Sequence, residues 1–123
     1  MARILVVDAE PLVRDTLRLL LESAGHEVIE AADSSGAAAL YPAARPALVI
    51  SDTVRPARGA RDTVDELRRV DPAVRIIAMS GGASAGAGED LDAALQRGAA
   101  AVLAKPFGRA ALLDLVRRLL EEG

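Results

Sequence analysis

Four short runs of this chain are almost wholly apolar: Ile4-Leu5-Val6-Val7, Ala47-Leu48-Val49-Ile50, Val74 to Met79, and Ala99 to Ala104. A strand with one wet face alternates apolar and polar residues. A near-continuous run instead marks a strand covered on both sides, as in a parallel sheet. A weaker run, Val28-Ile29, sits within His26 to Ala32. Helical stripes lie between these runs. Pro11 suits a first helical position, and Val13, Leu17, Leu20 and Ala24 follow at helical spacing until Gly25. Val64, Leu67 and Val70 form a second stripe, ended by Asp71-Pro72; Leu91, Ala94 and Leu95, then Gly98, form another; Leu112, Leu115, Val116 and Leu119 form the last. An Ala-rich segment from Ser34 to Tyr41 completes the set. The order is βα repeated five times, which crossover handedness turns into a doubly wound α/β sheet with helices on both faces.

Composition narrows what such a sheet can serve. At 123 residues, residues 1–123 fit one domain, long enough to bury a core without disulfides or structural metal. There is no Cys, hence no disulfide framework, no thiolate nucleophile and no Cys-based zinc site. With one Phe, one Tyr and no Trp, the chain lacks an aromatic platform for stacking bases. The net charge is -3 and the Arg residues are scattered among acids, so no nucleic-acid partner is expected. No apolar run approaches the ~18 residues of a membrane span, and the run before Asp8 is too short for a signal peptide. No membrane association is expected, and a cytoplasmic location is.

In a doubly wound sheet, ligands bind beyond the carboxyl ends of the strands, where the strand order reverses. Asp8 follows the first apolar run, Asp52 the third, Ser80 the fourth and Lys105 the fifth. Four polar residues from four strands therefore converge on one edge. Two neighbouring carboxylates repel, so a proton, a cation or a metal must offset one of them. Lys105 brings one positive charge, and Mg²⁺ suits carboxylate, water and phosphate oxygens together. A carboxylate can also attack phosphorus to give an aspartyl phosphate. Ser80 and Lys105 would then hydrogen-bond and neutralise the phosphoryl oxygens.

Over essentially its whole length the chain resembles a response-regulator receiver domain, the switch of two-component phosphorelay signalling. The segments that carry the resemblance are ILVVDAEPLVR, ALVISDTVRP, RIIAMSGG and GAAAVLAKPF. It implies a flavodoxin-like (βα)5 sheet with strand order 2-1-3-4-5. It implies that Asp52 is the phosphoacceptor, loaded from a histidine kinase or phosphotransfer protein. Asp8, Asp52 and the backbone carbonyl of Val54 would hold Mg²⁺, Ser80 and Lys105 would contact the phosphoryl group, and the Lys105–Pro106 peptide would be cis. A standalone receiver would pass its signal to a downstream protein through the last two helices. It would assist only its own phosphorylation and dephosphorylation, and would not be a conventional enzyme.

Three positions depart from the pattern. Receivers usually carry two acids after the first strand, and here the second is Ala9. The segment Thr53 to Asp62 has Arg55, Arg58 and Arg61 and lacks the usual Met before Pro56. Val102 stands where an aromatic is common. Ala9 keeps open a second reading, a pseudo-receiver interaction module working without metal or phosphate. Other chemistries fail on residues. Gly81 and Gly86 have P-loop spacing, but Ala87-Gly88 replaces the required Lys and Ser/Thr. Ser80 within Ala78 to Gly82 mimics a hydrolase nucleophile turn, yet no His follows it. A small-molecule aspartyl-phosphate hydrolase would need a cap and a further general acid. His26, the single histidine, is expected to be exposed and inert.

Overall fold

Side chains that alternate along the strands divide the core in two. In a computed structural model, which describes residues 2–52, 63–80, 95, 98–104 and 106–121, the strands are β1 (Arg3–Val7), β2 (Glu27–Ala31), β3 (Leu48–Asp52), β4 (Ile76–Ser80) and β5 (Ala101–Ala104). All pair in parallel in the order β2-β1-β3-β4-β5. The helices among the described residues are α1 (Pro11–Ser23), α2 (Ser34–Ala44), α3 (Thr63–Val70) and α4 (Arg109–Glu121). Ile4, Val6, Leu48, Ile50, Ile77 and Met79 pack on one face with Leu17 and Leu21 of α1 and Leu112, Leu115, Val116 and Leu119 of α4. Their neighbours Leu5, Val7, Val49, Ile76 and Ala78 pack on the other with Ala37 and Tyr41 of α2 and Val64 and Leu67 of α3. Successive side chains of a strand point to opposite faces, so a strand feeding both clusters must be apolar throughout.

The helix ends follow local chemistry. Pro11 opens α1, where its missing N–H costs nothing. After α1, Gly25 turns the chain at φ 90, a left-handed conformation that glycine adopts without strain. Asp33 caps α2 by accepting the Gly36 N–H at 2.7 Å. In α3, Asp65 and Glu66 occupy the first turn and Arg68 and Arg69 the last, each matching the helix dipole.

Several boundaries differ from expectation. The helix α2 runs on through Pro42 to Ala44. Three strands end or begin away from their apolar runs: β3 continues to Asp52, β4 covers Ile76–Ser80, and β5 begins at Ala101. Ladder pairing rather than hydropathy sets these ends, since Asp52 is paired with Met79 and Ser80 with Ala104. His26 is half-buried rather than exposed: its Nδ1 accepts the Ala2 N–H at 3.2 Å, and burial lowers its pKa. Of the helix expected from Leu91 to Leu95, only Leu95 is among the described residues, and it is helical. Among the described residues no helix is long and apolar enough to cross a membrane.

Candidate functional site

Strand register sets the level of each candidate residue. Val7 is aligned with Ser51, so Asp8, one residue beyond β1, stands level with Asp52, the last residue of β3. Asp52 is aligned with Met79, which puts Ser80 one step further along β4. Ser80 is aligned with Ala104, and Lys105 follows Ala104 in the chain. β1 and β3 are adjacent, with β2 on one side and β4 on the other. The two acids thus end the strand pair at which the order reverses, where open α/β sheets bind ligands. Lys105, Val54, the Lys105–Pro106 peptide, the side chain of Ser80 and the arginines 55, 58 and 61 lie outside the described residues.

Asp8 is only 2% exposed. Its N–H donates to the Ala31 carbonyl at 3.1 Å, which extends the β1–β2 pairing by one residue. Its Oδ1 accepts the Glu10 N–H at 2.8 Å, a turn that leads into α1. Arg14 Nη1 donates to the Asp8 carbonyl at 2.6 Å. Asp52 is half-buried. Before it comes Ser51, 2% exposed, whose hydroxyl donates to the Asp52 carbonyl at 3.1 Å. Ala9 is exposed and offers only a methyl where a second acid would stand. Val102 is half-buried and packs against the core on the α2–α3 face.

Several residues around the site escape reading from sequence. Arg14 Nε donates to Glu30 Oε1 at 3.2 Å, and Arg18 Nη2 lies 2.7 Å from Glu30 Oε2. Arg14 and Arg18 are four apart and share a helix side, which spacing reveals. Their acceptor on β2 is revealed only once β2 is known to lie beside β1. Ser51 has a sequence signal, a hydroxyl directly after the third apolar run and before Asp52.

A hard divalent ion takes oxygen ligands, and the described carboxylates of Asp8 and Asp52 are of that kind. Among the described residues no group of three or more His, Cys, Asp or Glu comes together. Mg²⁺ keeps several waters and is held by one or two carboxylates, so the donors fit in kind, with one charge missing at Ala9.

The fold is that of a doubly wound α/β domain, with this acidic strand-end pair as the candidate site at the β1–β3 switch point. The family model of the response regulator receiver domain matches residues 4–117. The chain belongs to the response-regulator receiver family and is a signalling domain of the two-component kind. It is 31% identical to CcdB of Bacillus subtilis, covering 98% of both chains. It is 29% identical to the chemotaxis protein CheY of Halobacterium salinarum, covering 96% of both. The nitrogen assimilation regulatory protein NtrX of Azorhizobium caulinodans is 33% identical, but the chain spans only 26% of its length. The receiver domain of NtrX from Brucella abortus superposes with a TM-score of 0.86 at 33% identity, over 98% of this chain and 99% of that one.

Proposed function

We propose that this chain is a phosphoacceptor switch that takes a phosphoryl group onto Asp52. The observation that carries the proposal is that Asp8 and Asp52 each follow directly on the aligned pair Val7 and Ser51, at the ends of adjacent strands. In the reaction, an Asp52 oxygen attacks phosphorus in a phosphohistidine of a kinase or phosphotransfer protein. The P–N bond breaks, the imidazole leaves with its electron pair, and a proton from solvent completes it. Attack by water on the aspartyl phosphate later returns phosphate and free Asp52. The Ser80 hydroxyl and the Lys105 ammonium meet the phosphoryl oxygens with a hydrogen bond and a positive charge. Mg²⁺, when bound by Asp8, Asp52 and the Val54 carbonyl, supplies charge that offsets the carboxylates and the incoming group. The modified state then favours one arrangement of the surrounding loops, read by a downstream protein on a face that includes α4.

The second reading, an interaction module working without metal or phosphate, draws on Ala9 alone. Beryllofluoride, which mimics an aspartyl phosphate, separates the two. With Mg²⁺ it should shift the amide resonances of Asp8, Asp52 and Ser80 in the wild type and leave Asp52→Asn unchanged. Equal shifts in Asp52→Asn would remove Asp52 from the role, and no shifts in either protein would favour the interaction module.

A further inference from the structure

The loop joining β1 to α1 is three residues long, Asp8 to Glu10. Asp8 Oδ1 accepts the Glu10 N–H at 2.8 Å and the Glu10 carbonyl accepts the Arg14 N–H at 3.2 Å, but neither bond engages the Asp8 carbonyl. Ala9 is exposed and carries only a methyl, and Pro11 after the loop has no N–H to donate. The Asp8–Ala9 peptide is nevertheless gripped from outside. Arg14 Nη1 reaches its carbonyl at 2.6 Å while Nε of the same guanidinium holds Glu30 Oε1 at 3.2 Å. The other oxygen of Glu30 is fixed by Arg18, with Nε at 2.8 Å and Nη2 at 2.7 Å. Both side chains of the inner pair are largely covered, Arg14 at 20% exposure and Glu30 at 24%. Partly buried charges are screened less by salt than exposed ones.

We propose that Arg14, braced by Glu30, is a positioning residue that orients the Asp8–Ala9 peptide and so aims the Asp8 carboxylate at a divalent cation. The proposal rests on Asp8 and Asp52 forming the acidic pocket. A strap from α1 to β2 is already made by Arg18 and Glu30. What Arg14 adds is one bond to the backbone carbonyl of the pocket's own acid. The task needs two donors at a fixed angle, one for a carbonyl and one for a carboxylate. A planar guanidinium has them, and an ammonium is a point charge. Where a second acid would itself help define the pocket, Ala9 leaves the orientation of Asp8 more dependent on this brace.

Groups that orient a metal ligand from outside typically change metal affinity by about 10–100-fold. The test is a calorimetric Mg²⁺ titration of wild type, Arg14→Met, Arg14→Lys and Arg18→Met, each checked for folding by its thermal transition. Arg14→Met should weaken Mg²⁺ binding about tenfold, and Arg14→Lys should recover part of the loss. Arg18→Met removes a more exposed pair and should stay within about twofold of wild type. In Arg14→Met the amide resonances of Ala9 and Glu10 should move before any Mg²⁺ is added. Labelling of Asp52 by acetyl phosphate should need more Mg²⁺ in Arg14→Met yet reach the wild-type rate at saturation. Wild-type Mg²⁺ affinity in Arg14→Met overturns the proposal. So does an equal loss in Arg18→Met, which would make the strap merely structural, or an absence of Mg²⁺ binding in the wild type. A wild type that binds Mg²⁺ but leaves Asp52 unlabelled refutes the phosphoacceptor role instead, and the titration still decides the part played by Arg14.

Discussion

Asp8 and Ala9 stand side by side at the end of β1 and differ in everything that matters to a cation. Asp8 is buried and hydrogen-bonded, while Ala9 is exposed and carries no side-chain oxygen. Two effects oppose each other when an acid is missing there. The empty pocket gains because one carboxylate repulsion is gone. The loaded pocket loses a direct contact with a doubly charged ion, and Coulomb energy scales with the product of the charges. The second effect is larger, so Mg²⁺ affinity should be low in the wild type. Because position 9 is exposed, an added carboxylate meets no packing obstacle. Outer groups alone change metal affinity about 10–100-fold, so Ala9→Asp should tighten Mg²⁺ by at least about tenfold. It should also speed modification of Asp52. Parallel Mg²⁺ titrations check this, and equal affinities would mean that position 9 does not face the ion.

Among the elements, α2 and α3 are joined by a contact far from the acidic edge. Tyr41 of α2 donates its hydroxyl to Asp71 Oδ2 at 2.7 Å, just beyond the end of α3. Burial, then the hydrogen bond and the Asp71 charge, push the Tyr41 pKa far up. The bond from Tyr41, followed by the Ala73 N–H, draws the Asp71 pKa down. Asp71 therefore adds stability above the ordinary carboxylate range, near about 4, and loses it as pH falls through its own lowered pKa. Tyr41 adds stability below the ordinary phenol range, near about 10, and loses it as pH rises. Tyr41→Phe should lower Tm by a few degrees at neutral pH, with the gap closing in acid as Asp71 protonates. A gap that persists unchanged in acid would assign the loss to packing.

The apolar runs mark where the strands lie because each strand feeds two core clusters. They do not mark where the strands stop. Asp52 and Ser80 look like residues after a strand, yet ladder pairing draws both inside one. In α2 the Ala-rich pattern says little about length, and Pro42 suggests an earlier end than the observed one. Pro42 costs the helix one i→i−4 bond, yet the chain keeps its turn beyond it, closed by the Arg45 N–H donating to the Tyr41 carbonyl at 2.8 Å.

Over the whole molecule, the candidate site is legible in the sequence to the extent that each residue directly ends an apolar run. Asp8 does so and Asp52 stands one residue further on, after Ser51, and register sets the two level. Arg14 and Glu30 do not. Their contact depends on β2 lying beside β1 with Glu30 aligned to Val6, a fact of topology that no local pattern encodes. Topology also explains why one edge gathers the chemistry. With β1 and β3 central and every strand parallel, their carboxyl ends face the same way. The central claim is that this edge accepts a phosphoryl group on Asp52, and mass spectrometry after incubation with acetyl phosphate and Mg²⁺ tests it most directly. One phosphoryl group should appear on the wild-type chain, map to the peptide containing Asp52, and be absent from Asp52→Asn. An unmodified wild type at saturating Mg²⁺, or the same added mass on Asp52→Asn, would contradict it.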